Sequence, residues 1–362
     1  MSGELDGDAS TAASSAWRIR STPEDFRVDE EPLYAPSGEG GHTFLQVEKR
    51  GRTTEQVARE LARLSGCAGR DVGYAGRKDR HAVTRQWFSL PGLDPAQAMA
   101  FPLSDARVLD ARRHGHKLRT GQLRGNRFEI VVRGDVENEL EAVRERAEVL
   151  GRRGLPNRFG DQRFGRDGDN AEQARALVSG GRPPRDRRAA RFLVSALQSL
   201  VFNAVLEARQ DDYDGVREGD LARVEESGGL FWVDDLDREA PRAAAFEISA
   251  TCPSPGTKVR APRGTALAVV DAVFAALELP PASEWQLPRG LRARGARRPL
   301  RVRPGDLVIE PLSEGGGIRV GCRLPAGSYV TVLLEALAGP RRIVDASRGP
   351  RVPDGSPGAH VS

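Results

Sequence analysis

The stretch Tyr74 to Phe88, YAGRKDRHAVTRQWF, sets Lys78 and Asp79 side by side in a glycine-flanked loop between two strand-like segments. A carboxylate on such a loop can act as a nucleophile, remove a proton, or stabilise a developing positive charge, and the residue types alone leave those routes open. For the dipeptide taken by itself, the alternative is a solvated ion pair at a hairpin tip. Lys78 carries a second signal. The chain has only four lysines and uses arginine almost everywhere else, so a lysine kept here points to a need for a compact ammonium. His81 lies two residues past Asp79; carboxylate chemistry requires no second base there, and the residue reads as facing the same site or as structural.

Other candidate constellations are weaker. His114-Gly-His116 lacks a third ligand at clear spacing and reads as part of a basic strip. Cys67, Cys252 and Cys322 are scattered, with no Cys-x-x-Cys pair, and read as reduced structural thiols. No metal is expected. The loop Gly38-Glu-Gly-Gly has no following Lys-Ser/Thr, so no nucleotide cofactor is implied, and no cofactor of any kind is expected.

The elements that must position Asp79 follow from pattern. Trp17 to Tyr34 alternates strand-like with polar residues, and His42 to Arg50 reads as the next strand. Thr53 and Thr54 stand where a helix cap is needed for TTEQVARELARLSG, with Val57, Leu61 and Leu64 on its inner face and Gly66 at its end. Arg107 to Asp110 and Arg127 to Val132 continue the strands, and Glu137 to Leu150 reads as a helix. The first 150 residues thus build a largely antiparallel sheet with helices, an α+β arrangement. A shift at Gly154-Leu-Pro-Asn-Arg-Phe-Gly opens a new unit that includes a helix over Ala189 to Ala208. Strand patterns return near Leu300 with DLVIE and IRVGCRL, too short to form a domain alone and fit to complete the first sheet.

Three arginine-dense segments, Ala111 to Arg127, Arg182 to Arg191 and Pro288 to Arg303, contain a single acid between them, Asp186. Such clusters suit phosphate backbones, with solvated surface as the alternative for any one of them. No apolar run approaching a membrane span is evident, and the N-terminus lacks the basic start and apolar stretch of a secretory signal. A cytoplasmic protein with no membrane partner is therefore expected.

The Tyr74 to Phe88 stretch resembles the signature of the TruD family of tRNA pseudouridine synthases, which places a Lys-Asp pair, a small residue, then Thr or Ser, then Gln; this chain supplies Lys78, Asp79, Ala82, Thr84 and Gln86. PEDFRVDE (Pro23 to Glu30), GNRF (Gly125 to Phe128), LPNRFGDQRFG (Leu155 to Gly165) and LPAGSYVTVLLEAL (Leu324 to Leu337) resemble further family stretches in the same order. The resemblance runs from about Trp17 to Leu337. It implies a pseudouridine synthase catalytic domain at 17–154 and 304–345 with a TRUD-type α/β domain inserted at 155–303, while the small, polar start and the Gly-, Pro- and Ser-rich tail predict disordered ends at 1–16 and 346–362. The resemblance also implies isomerisation of uridine, at position 13 of tRNA, in a cleft between the two domains, with Asp79 as the catalytic carboxylate. Substrate-binding roles pass to Phe26, Lys78, Asn126, Phe128 and Tyr329, Tyr329 standing where the family commonly has Phe. For the aromatics, core packing is the competing role. A monomer acting on tRNA is expected. The rival from another class is a non-catalytic RNA-binding or RNA-folding protein, which would have no chemical need of Asp79.

Overall fold

A computed structural model describes residues 16–164 and 170–348, so the disorder expected of the two ends falls almost wholly outside the described residues. Contacts divide the chain into two compact units: Met1–Arg144, Gly305–Ala326 and Ala338–Ser362 form one, and Glu145–Pro304 with Gly327–Leu337 form the other.

The first unit opens with β1 (Trp17–Ile19), β2 (Phe26–Pro32), β3 (His42–Arg50), β4 (Gly73–Tyr74), β5 (Val83–Pro91), β6 (Ala106–His114) and β7 (Leu123–Arg133). Over β3 and β5 lies the helix Thr54–Ser65, whose Val57 and Leu61 pack on Leu45, Val47, Phe88 and Leu90. Thr53 caps it by accepting from the Gln56 amide, and Gly66, at φ 72°, ends it in the left-handed conformation that a glycine adopts without strain. Thr54 is not a cap; its hydroxyl is taken up elsewhere, as described below.

His114 departs from the expected basic strip. Its ring is nearly buried, accepts from the Ser37 amide at Nδ1 (3.1 Å), stacks on Tyr34 with centroids 5.2 Å apart and meets Phe44 at 4.4 Å. Burial, and then the neighbouring His116, hold it below the usual imidazole range, so it packs as a neutral aromatic ring.

The second unit holds β8 (Leu155–Pro156), β9 (Leu221–Val224), β10 (Leu230–Trp232), β11 (Ile248–Ser254), β12 (Ala296–Pro299) and β13 (Arg301–Val302). Strands β9 to β12 make a four-stranded sheet in the order β10-β9-β11-β12, and β13 pairs with β8. Its core gathers Leu193, Leu197, Val201 and Phe202 of the helix Arg187–Ala208 around Cys252, Val270 and Trp285. By length and composition that helix could cross a membrane, which the sequence reading overlooked, yet 56% of its apolar window is buried in the protein's own core. Burial pushes the Cys252 thiol up to about 12 and does the same to Cys322, so neither forms a thiolate readily.

The arginine-rich segment Pro288 to Arg303 is not one basic surface. Arg297 donates to Thr251 Oγ1 and the Arg260 carbonyl, Arg298 to the carbonyls of Asn157 and Gly327, and Arg301, 1% exposed, to the carbonyls of Arg153 and Ile248 while lying over the Phe246 ring. A guanidinium with five donors can satisfy several orphan carbonyls at once, and here three of them do so inside the fold. The Arg298 bonds also explain why Gly327–Leu337, placed by sequence order with the first domain, groups with the second unit: the turn before the helix Val330–Ala338 is fastened to Asn157.

The chain then returns to the first unit with β14 (Gly305–Pro311), β15 (Gly317–Pro325) and β16 (Ile343–Asp345). The completed sheet has ten strands, with β14-β15-β7-β2-β5-β3-β6 in line, β1 joining at β7, β16 pairing parallel to β1, and β4 on β5. Among the described strands of this sheet only β2–β5 and β1–β16 pair in parallel, so the sheet is largely antiparallel. Order extends past the expected boundary at 346, since Ala346–Arg348 forms a short turn in which the Ser347 amide donates to Asp345.

Candidate active site

Register determines which side chains share the face that carries Asp79. Val28 lies opposite both Phe128 and Thr84, Glu30 opposite Asn126, and Lys49 opposite Thr84. Partners across a ladder point the same way, so Phe26, Val28, Glu30, Lys49, Thr84, Gln86, Asn126 and Phe128 belong to one face. The loop that joins β4 to β5 crosses this face and is fastened to it. Gln86 donates to the Gly76 carbonyl (3.3 Å), the Thr54 hydroxyl donates to Gln86 Oε1 (2.8 Å) and accepts from the Lys78 amide (2.9 Å). Gln86 and Thr54 are fully buried, which makes these bonds expensive to break.

Both lysines of the face serve the loop. The Lys78 ammonium is 2.7 Å from the Glu30 carboxylate, with the two side chains 5% and 1% exposed. The ammonium expected to contact substrate is thus held against a buried carboxylate, and the pair steadies the loop. Lys49, 0% exposed, donates from Nζ to the Arg52 carbonyl (2.6 Å) and to the backbone carbonyl of Asp79 itself (2.8 Å). Desolvation pushes its pKa down to about 8, against the pull of Asp79. A compact ammonium fits such a cavity where a guanidinium would not. The rarity of lysine could have drawn attention to Lys49 as it did to Lys78.

Asp79 is thereby turned outward, its side chain 45% exposed. One carboxylate oxygen accepts from Arg20 Nη2 at 2.7 Å, while Arg20 Nη1 donates to Asp345 at 2.8 Å. Arg20 is 8% exposed, lies 3.7 Å over the Phe26 ring, and holds φ at 57°, a left-handed backbone rarely adopted by a residue with a side chain. Strained backbone beside an exposed carboxylate is the kind of feature that accompanies function. A fixed cation next to Asp79, with its other carboxylate oxygen open to solvent, gives a group able to act as nucleophile, base or electrostatic stabiliser. Sequence reasoning missed Arg20 and Asp345, because a guanidinium clamped by carboxylates 59 and 325 residues away leaves no local pattern.

The remaining expected residues divide. Phe26 is 1% exposed and packs against the Arg20 guanidinium that pairs with Asp79. Phe128 is 7% exposed on the loop-bearing face, and Asn126 is half-buried there with Oδ1 buried and unbonded among the described residues. Tyr329 belongs to the second unit, edge-on to Phe159 with centroids 6.0 Å apart; Gly160 lets the ring approach, since a Cβ there would lie 3.0 Å from it. His81 is exposed. Of LPNRFGDQRFG, Gly165 lies outside the described residues.

A family model described as tRNA pseudouridine synthase D (TruD) matches residues 9–181 and 186–337. The chain is similar to a protein named tRNA pseudouridine synthase D from Anaeromyxobacter sp. (strain Fw109-5), 44% identical over 88% of this chain and 91% of that one. A protein of the same name from Thermus thermophilus is 43% identical over 88% of this chain and 87% of its own length. Among solved structures, a putative tRNA pseudouridine synthase D (TruD) from Methanosarcina mazei matches with TM-score 0.71 over 91% of this chain and 94% of that one, at 21% identity, a likeness of fold.

Proposed function

We propose, from the premise that this chain belongs to the tRNA pseudouridine synthase D family, that it isomerises uridine to pseudouridine in tRNA through Asp79. The enzyme is an isomerase, and a non-catalytic RNA-binding role on the same scaffold is not favoured. The observation that carries the role of Asp79 is its presentation: a half-exposed carboxylate on a loop whose backbone is bolted down by Lys49, Lys78, Thr54 and Gln86, with Arg20 on one oxygen.

The reaction breaks C1′–N1, turns the uracil and joins C1′ to C5, whose hydrogen leaves as a proton. Asp79 acts at the ribose or the ring during cleavage, and it or water takes the C5 proton at the end. Arg20 keeps the carboxylate aimed. Asn126, whose side-chain oxygen has no partner among the described residues, offers an acceptor for a uracil N–H or a ribose hydroxyl. Uridine 13 of tRNA is the target we expect, and the enzyme works in the cytoplasm as a monomer; the reduced, buried Cys252 and Cys322 suit that compartment. Mapping pseudouridine in tRNA from a strain deleted for this gene, with and without the restored gene, tests the reading. Loss and recovery of the mark at position 13 supports it, and an unchanged map overturns it.

Phe128 supplies a second test, since a stacked base and a packed core ask different things of it. Phe128→Ala should cost several kcal/mol of stability at so buried a position, roughly the 3–5 typical of aromatic truncation, and says little about function. Phe128→Leu keeps most of the volume. If the ring holds a flipped uridine, the Leu variant should melt near the wild type yet turn tRNA over about 5- to 150-fold more slowly, the equivalent of losing a stacking contact of roughly 1–3 kcal/mol. Wild-type turnover by a folded Leu variant would leave Phe128 as core alone.

A further inference from the structure

We propose that a hollow in the second unit, lined by Arg182, Arg185, Arg187, Arg191 and Arg289, binds the phosphodiester backbone of the RNA substrate. The inference rests on the reading of the protein as an RNA-modifying enzyme, and it selects one place on the surface where the charge is free to act.

The hollow has a volume of about 340 Å³ and draws its arginines from two segments about a hundred residues apart. Backbone bonds hold those segments together: the Gln286 amide donates to the Val178 carbonyl at 2.8 Å, and Ser179 and Gln286 form a bridge. Pro183, Pro184 and Pro288 stiffen the walls. Gly290, at φ 85°, lies beneath the Arg187 guanidinium, which would come within 3.8 Å of a Cβ built there, so the loop accommodates both the left-handed backbone and the overlying charge.

What distinguishes this hollow is the lack of compensation. Arg297, Arg298 and Arg301 are consumed by carbonyls, and Arg209, Arg153 and Arg217 by aspartates. None of the five arginines of the hollow has a carboxylate partner among the described residues, and no carboxylate lines it. Asp186, the acid within the segment, spends its side chain on capping the helix Arg187–Ala208 by accepting from the Arg188 amide at 2.9 Å. Five like charges gathered at one place repel each other unless an anion joins them, and the first turn of a 22-residue helix adds a positive end there. The lining includes no aromatic ring and no side-chain amide, so it offers nothing to read a base edge. Phosphate, held by planar guanidinium forks without regard to sequence, is the ligand chemistry that fits.

The test is the salt dependence of tRNA binding. Arg187, Arg191 and Arg289 are replaced together by Ala; all three are exposed and make no bond that the fold needs. Each phosphate contact contributes roughly 0.7 to 0.9 to the slope of log affinity against log salt, so the triple variant should lose about 2 from that slope. At moderate salt its Kd should rise on the order of 10-fold or more, with kcat at saturating tRNA unchanged. Arg289→Glu alone, on its exposed loop, should lower the slope by about one and stands in if the triple variant fails to fold. Slopes equal to wild type in either folded variant overturn the proposal. The two readings fail separately: a wild type that binds tRNA without converting uridine sinks the enzymatic reading, whereas normal turnover with an unaltered slope sinks the hollow alone.

Discussion

Asp79→Asn should fold, bind tRNA within a few-fold of wild type, and lose turnover by at least about 10³-fold. The substitution keeps the side chain's shape and one acceptor oxygen for Arg20, while Arg20 retains Asp345 at 2.8 Å. Because Asp79 is 45% exposed, its ion pair with Arg20 contributes little to stability, about 1 kcal/mol or less. The reaction loses far more. An amide is a poor nucleophile and a poor base, and a carboxylate used in proton transfer alone contributes roughly 10²- to 10⁴-fold. Release of tritium from C5-labelled uridine in tRNA reports each turnover directly, and filter binding reports affinity. A surface pair with no chemical role would leave tritium release intact, and substantial release by the folded Asn variant would sink the assignment.

Alternation along β2, β3, β5 and β7 made the sheet legible, because strands with one buried face carry their register in the sequence. The Asp79 loop was legible for a different reason: its residues stand in a fixed local order, and the order survives reading. What held the loop was not. Glu30 reaches Lys78, Lys49 reaches the Asp79 carbonyl and Arg20 reaches Asp345 across strands that come together only in the fold. β16 is three residues, Ile343–Asp345, near a Gly- and Pro-rich tail, and only its parallel partner β1 makes it a strand. Arginine was the least legible residue type. Arg289 on an exposed loop and Arg301 at 1% exposure stand in one arginine-rich run, and composition cannot tell a guanidinium that meets solvent from one that satisfies three carbonyls and a hydroxyl inside the fold. Tyr329 shows the same limit from another side, since bonds from Arg298 and Ser328 to Asn157, not sequence proximity, place its turn with the second unit.

Lys49→Met should separate stability from activity more cleanly than any other change in this face. Nζ donates to two carbonyls, of Arg52 and Asp79, from a position that is 0% exposed. Removing it leaves both carbonyls short of a donor, at roughly 1–3 kcal/mol each, but also abolishes the burial of an ammonium, and the two effects oppose each other. Net stability at neutral pH should therefore shift modestly. The pH dependence should shift distinctly. Burial lowers the folded pKa of Lys49 from 10.5 to about 8, so between those values the unfolded chain binds a proton that the folded chain has released. That contribution to stability is present in full above 10.5 and is lost as pH falls through about 8; across the window the wild type should gain on the Met variant by about 1.4 kcal/mol per pH unit. Melting curves of the two proteins between pH 7.5 and 10, compared pairwise, isolate this one group, and parallel curves would show that Lys49 titrates normally and is not desolvated as described. Turnover follows a separate logic. With the Asp79 carbonyl no longer held at 2.8 Å, the loop can drift, and a displacement on the order of 1 Å at a reacting group costs roughly 10²-fold. A folded Met variant should accordingly show unchanged KM for tRNA with kcat reduced about 10²-fold, a split that a purely structural lysine would not produce. Wild-type kcat in that variant would mean that Gln86, Thr54 and the Lys78–Glu30 pair suffice to aim Asp79.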